Sequence, residues 1–311
     1  MHIQKVRIRA VAVPRVYDTR VADAGGHEQA KTQSLYYVLE LRSNTGAIGL
    51  GEISDIESSW NVPTPHALCT LLCSLEGSDP LRHQDTWETA TAALPKALHP
   101  ELRSLLSAAV DMALLDLVGQ HYNAPLHVLL GGTHRTRIQV SWVAFIRTVE
   151  EIEDEISSKV AEGFTAFKLK VGNEPNMDIE RVRLCRRIAG PEAYIKVDAS
   201  GQWEEQEAIE QINALAAVGA DAVETPLRAA ARALAKDTPE LVNEKAEDVA
   251  AALARVRERV AIGLIEHVSD FEERFALELI AQRAVDVFNV VPVQAGQLQR
   301  AQRLLHLAES G

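Results

Sequence analysis

Three cysteines in 311 residues, with no CxxC pair among them, exclude a disulfide framework and give no zinc-ligand spacing. Cys69 and Cys73 stand four residues apart without a nearby His or Cys to complete a metal site. Together with Cys185 they are expected as buried free thiols in a reducing cytoplasm. No apolar run is long enough to cross a bilayer, and the N-terminus MHIQKVRIRA lacks the apolar core of a signal peptide. A glycine fingerprint for phosphate or dinucleotide is missing after every strand-like stretch; Gly131-Gly132-Thr133 precedes one. Positive charge is also in deficit. With 32 Lys+Arg against 44 Asp+Glu, a net charge of −12 and a pI near 5.4, nucleic acid and anionic membranes are poor partners.

What is present is ample apolar content for a core, in a chain long enough for one large domain or two ordinary ones. Residues 3–14 alternate basic and apolar, as a half-exposed strand does, and a loop is expected over Arg15–Thr32. Ser34–Arg42 and Ala47–Ile53 read as a hairpin about the turn Ser43-Asn44-Thr45-Gly46. Gly49 and Gly51 predict a close backbone approach or a twisted edge. From Pro63 the pattern is helical, most clearly over Leu102–Gly119.

After Gly131-Gly132 strand-like and helix-like runs alternate: Ile138–Phe145, Phe164–Val171, Ala193–Val197, Ala222–Glu224, Ile262–Glu266 and Val285–Val291, each followed by a helix. Thr148 with Glu151, and Ser269 with Glu272, read as capping boxes. Such units in series give a parallel sheet and favour a (β/α) TIM-type barrel. Six units are found where a closed barrel has eight strands, so the barrel is expected to lack its last strands. Arg228–Asp248, rich in Ala, Glu and Lys, is expected as an extra helical segment. The expected fold class is therefore α/β, with residues 1–132 as an N-terminal α+β domain and 133–311 as an incomplete barrel.

Lys168 and Lys170 in GFTAFKLKVG share one strand face, with Phe167, Leu169 and Val171 on the other. Two readings stand on this stretch alone. The lysines reach solvent at a strand end, or they face an enclosed anion or metal–carboxylate cluster that offsets their repulsion. Asp198, Glu224 and Glu266 recur where later strands end, and in a parallel barrel such ends converge at one mouth. Singly, each acid reads as a helix cap or solvated loop residue. Three all-oxygen donors from three strands would suit Mg²⁺.

The runs AFKLKVG, VDASGQW and VETPL resemble the enolase superfamily in its mandelate racemase/muconate-lactonizing branch. GAIGLGEIS and Ser107–Gly132 resemble that branch's glycine-rich hairpin and the helix closing its capping domain. The resemblance implies an α+β cap on a modified barrel and a divalent metal, Mg²⁺, on Asp198, Glu224 and Glu266. It also implies abstraction of a proton α to the carboxylate of a small-molecule substrate. By match to the motif Lys170 is the base and Lys168 its cationic neighbour, and a homo-oligomer is expected. Cap loops choose the substrate in such enzymes, which makes Tyr17, His27 and Trp60 candidate binding residues.

Departures narrow the reaction. The third acidic strand end of the family usually carries an Asp-Glu or Gly-Glu pair, where this chain has Ile265-Glu266-His267. Val291 stands where the muconate-lactonizing pattern has a lysine on the opposite substrate face. His267 follows Glu266 and is expected to point away from the pocket. With one face equipped, a cycloisomerase or a dehydratase is favoured. The alternatives are a racemase or epimerase of the same family, or a catalytically impaired metal-binding homologue.

Overall fold

The computed structural model describes residues 1–22, 28–54, 56–57, 60–133, 135–230, 246–269 and 271–311, with side chains over the same residues apart from 16–31. His27 and most of the expected Arg228–Asp248 segment lie outside the described residues, as does the Tyr17 side chain. The chain divides into two compact units. Residues 1–16, 32–137 and 291–303 form the first, and residues 17–31, 138–290 and 304–311 the second.

A three-stranded sheet runs in the order β1 (Ile3–Ala22), β2 (Glu28–Ser43), β3 (Ile48–Ile53), and its residues apart from 17–31 belong to the first unit. The loop expected over Arg15–Thr32 is largely strand. A ribbon's ladder needs backbone partners and not apolar side chains, so the polar residues after Pro14 did not mark its end. Helices α1 (Pro65–Leu72), α2 (His83–Ala92), α3 (Pro100–Tyr122) and α4 (Leu126–Leu129) follow.

Helix α3 runs against β3 with almost no space between their backbones. A Cβ on Gly51 would stand 1.9 Å from Ala109 O, and one on Gly49 would stand 2.1 Å from Ala113 O. The glycines thus mark a close approach, as their spacing suggested, and Leu39, Leu41, Leu106, Val110 and Leu114 complete the core there. Asp116 fixes the register from the helix side, its Oδ2 accepting the Leu50 N–H at 2.9 Å.

The second unit is a parallel sheet in sequence order: β4 (Trp142–Ala144), β5 (Ala166–Lys170), β6 (Tyr194–Asp198), β7 (Ala222–Glu224), β8 (Gly263–His267) and β9 (Val287–Asn289). The intervening helices are α5 (Val149–Ala161), α6 (Pro175–Ala189), α7 (Glu205–Ala217), α8 (Ala246–Arg257) and α9 (Glu273–Ala281), and α10 (Leu298–Ser310) comes last. The α/β class and the six strands agree with the sequence. Phe167, Leu169, Ile195, Val197, Val223 and Leu264 bury one face of the sheet in a core shared with the helices. That leaves the alternate residues of each strand for the other face.

The capping box at Thr148 is present, with Glu151 returning the bond to the Thr148 N–H. The second is not. Helix α9 starts at Glu273, with Glu272 itself at the N-cap and no side-chain cap bond, three residues later than a cap at Ser269 would set. Only Cys185 is a buried thiol, and burial pushes it up to about 12. Cys69 is half-buried and Cys73 exposed, since the short helix α1 packs one face only.

Candidate active site

Register brings the charged residues together. Lys170 pairs with Asp198 and Asp198 with Glu224, so these three form one row across β5, β6 and β7. One step earlier along the strands, Lys168 pairs with Lys196. All five lie on the face away from the helices. Lys168 Nζ sits 2.8 Å from Asp198 Oδ2 and 2.8 Å from Glu224 Oε1. Lys170 Nζ lies 2.6 Å from the same Asp198 oxygen and 3.1 Å from Ser200 Oγ. Lys196 Nζ holds Glu224 Oε2 at 3.1 Å, and Asn289 Nδ2 donates to Glu224 Oε1 at 2.7 Å.

These contacts set the ionisation. Burial alone would raise the Asp198 pKa, but Lys170 and Lys168 outweigh it and hold the carboxyl well below the usual carboxylate range. Burial likewise works against the Lys168 charge, yet Asp198 and Glu224 prevail and raise its pKa above the ordinary lysine value. The turns that follow are conformationally unusual. Ser200, two residues after Asp198, has φ +49° and Thr225, directly after Glu224, has φ +43°, left-handed values at non-glycine residues. Backbone strain of this kind costs on the order of 1–3 kcal/mol per residue and clusters at functional sites. It also lets the Ser200 N–H reach back to Asp198 Oδ1 at 2.9 Å.

Glu266 does not join this row, contrary to the sequence expectation. Glu224 pairs with Ile265, so Ile265 and, two residues on, His267 share the Glu224 face. Glu266 shares the opposite face with Leu264, which belongs to the helix-side core. Its Oε1 accepts from Thr225 Oγ1 at 3.0 Å and from the His267 N–H at 3.0 Å. Its Oε2 is buried without a hydrogen-bond partner. The Asn289–Glu224 bond supports the same assignment, because Asn289 is the register partner of His267.

The buried position has a measurable consequence. Burial pushes the Glu266 carboxyl up to about 7, against the hydrogen bond from His267 N–H. In the unfolded chain a glutamate titrates near ~4.3, so the folded state binds the additional proton between the two values. Glu266 therefore contributes stability that is complete at low pH and lost as pH rises through about 7. Compared with Glu266→Gln in the presence of a chelator, the parent chain is expected to lose melting temperature between about pH 5 and about pH 8. A difference constant across that range would show the carboxyl ionised throughout.

Trp60 stacks on His99 with ring centroids 5.0 Å apart and planes at 14°, in the first unit. Val291 lies beyond β9 and groups with the first unit. Sequence reasoning missed Lys196 and Asn289. Lys196 was within reach, since it precedes Asp198 by two residues and must share its face. Asn289 follows only from the pairing of β8 with β9.

Residues 6–131 match the mandelate racemase/muconate lactonizing enzyme N-terminal domain, and residues 151–310 match the enolase C-terminal domain-like family. The chain belongs to the mandelate racemase/muconate lactonizing enzyme family. Relatives in that family include the L-Ala-D/L-Glu epimerase of Clostridium acetobutylicum, 31% identical over 204 residues that cover 65% of this chain and 52% of the epimerase. Muconate cycloisomerase 1-1 of Acinetobacter lwoffii is 29% identical over 273 residues, covering 85% of this chain and 65% of that enzyme. The chain thus spans about half the length of the first relative and just under two thirds of the second. In fold it is similar to a dipeptide epimerase from Cytophaga hutchinsonii complexed with Mg and the dipeptide D-Ala-L-Val, with a TM-score of 0.81 and 23% identity. That likeness covers 100% of this chain and 77% of the epimerase.

Magnesium favours oxygen donors in near-octahedral array. Asp198 and Glu224 are register partners and supply two oxygen donors on the site face. The expected third carboxylate, Glu266, keeps a buried Oε2 without a hydrogen-bond partner, an oxygen donor of the kind magnesium takes.

Proposed function

We propose that this chain abstracts the α-proton of a small carboxylate substrate, as a cycloisomerase or dehydratase of its family. The observation that carries the reading is the row Lys170–Asp198–Glu224 with Lys168 and Lys196 beside it on one sheet face. A proton α to a carboxylate is very weakly acidic, so the negative charge developing on the carboxylate must be met as it forms. Lys170 as the free amine takes the proton from Cα, and the bonding electron pair moves into the carboxylate to give an enediolate. The Lys168 ammonium faces that charge, with Lys196 one step behind it.

Val291, where the muconate-lactonizing pattern has a lysine on the opposite substrate face, carries no proton-transfer group. Incubation with a panel of carboxylic acids in deuterated water, with magnesium or cobalt supplied, should give α-deuterium incorporation with retention of configuration. Racemisation would favour the epimerase chemistry named for relatives such as the Clostridium acetobutylicum enzyme. A folded chain that exchanges no substrate would be a non-catalytic homologue.

A further inference from the structure

We propose that the buried pair Asp178–Arg181 positions Lys170: it fixes the loop that leaves β5 and so aims the amine, without itself touching substrate. The inference rests on reading Lys170 as the base, and its test includes readouts that need no turnover.

Lys170 is the last residue of β5, so the direction of its side chain depends on how the chain leaves the strand. Two bonds set that exit. The Val171 N–H donates to Asp198 O at 3.0 Å, and the Gly172 N–H donates to Asp178 Oδ2 at 2.8 Å. Gly172 turns there with φ +104°, where a Cβ would stand 2.8 Å from Gln202 Cγ and 3.2 Å from Ala199 O. Asp178 comes from the first turn of α6, and its other oxygen accepts from Arg181 Nη2 one turn later. Arg181 Nη1 donates to the Arg147 carbonyl oxygen at 3.5 Å, in the segment between β4 and α5. The pair thus ties together the loops that follow two neighbouring strands, and Lys170 stands where one of those loops begins.

Stability does not account for the pair. Asp178 is 2% exposed and Arg181 3%, and taking two charges out of water commonly costs more than their attraction returns. Burial pushes the Asp178 carboxyl up, against the pull of Arg181 and of the Gly172 amide. Arg181 Nε is buried without a hydrogen-bond partner, a desolvation cost that an apolar side chain would avoid. What the pair supplies is geometry: an acceptor for one N–H of the loop, held in place by a guanidinium. A base must lie within hydrogen-bond reach of the proton it takes, and a displacement of ~1 Å can cost on the order of 10²-fold in rate.

The test compares two double variants of the intact chain, both carrying Arg181→Met. The first adds Asp178→Leu and so removes the acceptor, whereas the second adds Asp178→Asn and keeps an oxygen for the Gly172 N–H. The first should melt no lower than the parent, because an apolar pair replaces buried charges. It should nevertheless lose hydrogen-exchange protection of the Gly172 amide and shift the Lys170 side-chain signal in NMR spectra with isotope-labelled lysine. Its α-proton exchange should fall about 10²-fold in kcat with KM unchanged. The second variant should recover the Gly172 protection, the Lys170 signal and most of the rate. Asp178→Glu keeps the charge but displaces the acceptor, so it should behave as the first variant and replaces it if that chain does not fold. Parental Gly172 protection and Lys170 signal in the folded first variant overturn the assignment, as does a loss of rate that the second fails to recover. A parent chain that exchanges no substrate removes the reaction alone, and the amide and lysine signals still decide whether the pair holds Lys170.

Discussion

Lys170→Ala abolishes α-proton exchange and leaves divalent-ion affinity essentially intact. The Lys170 ammonium lies 2.6 Å from Asp198 Oδ2, but it donates to that carboxylate and supplies no ligand. Removing it takes away the proton acceptor, and general bases contribute roughly 10²–10⁴-fold to rate. Exchange measured by mass spectrometry should therefore fall by about that factor, to the background of the method. Ion affinity should hold or tighten slightly, since one cation leaves the neighbourhood of Asp198. Lys170→Arg supplies the control. It keeps the charge beside Asp198 but, with a pKa above ~12, cannot serve as the base, so exchange should be lost there as well. If either variant loses ion binding while exchange survives, the roles given to Lys170 and its neighbours are wrong.

Gly51→Val unfolds the first unit. The Cβ would stand 1.9 Å from Ala109 O and 2.7 Å from Ala109 C, and both are backbone atoms of helix α3 that no rotamer change can move aside. Overpacking usually costs about 1–3 kcal/mol where side chains can yield, and more is expected here because the helix itself must lift from β3. Set against a total stability of roughly 5–15 kcal/mol, the loss should exceed about 3 kcal/mol and remove the cooperative transition at moderate temperature. Gly46→Ala separates strain from collision. Gly46 has φ +88° with nothing within 4 Å of its would-be Cβ, so it pays only the left-handed penalty of roughly 1 kcal/mol. A Gly51→Val chain melting within a few degrees of the parent would mean that α3 does not lie on β3 as described.

Much of this architecture could be read locally. Thr148 with Glu151, the glycine pair in GAIGLGEIS, the long apolar helix α3 and the alternation of AFKLK each carry their own physical cause within a few residues. Two lysines and two carboxylates of the site followed from strand ends for the same reason. What the sequence could not show depends on pairing between distant segments. Glu266 looked like the end of its strand because acids end the two strands before it. The register between β7 and β8 decides its face instead, because Glu224 pairs with Ile265 and Glu266 alternates away from that row. Asn289 enters the site through the pairing of β8 with β9. The ribbon from Arg15 to Ala22 was missed because backbone pairing carries it and no apolar period marks it.

The outermost strands of the parallel sheet, β4 and β9, are three residues each, while β5, β6 and β8 between them have five. A foreign strand adding to either border would find only a short ladder of amides and carbonyls, too few to repay the ordering of its own chain. The sheet is therefore a poor template for growth. Stickiness in a destabilised variant should arise first from the exposed Ile138 and Val140 beside β4, which makes charged replacements at those two positions the simplest route to a better-behaved chain.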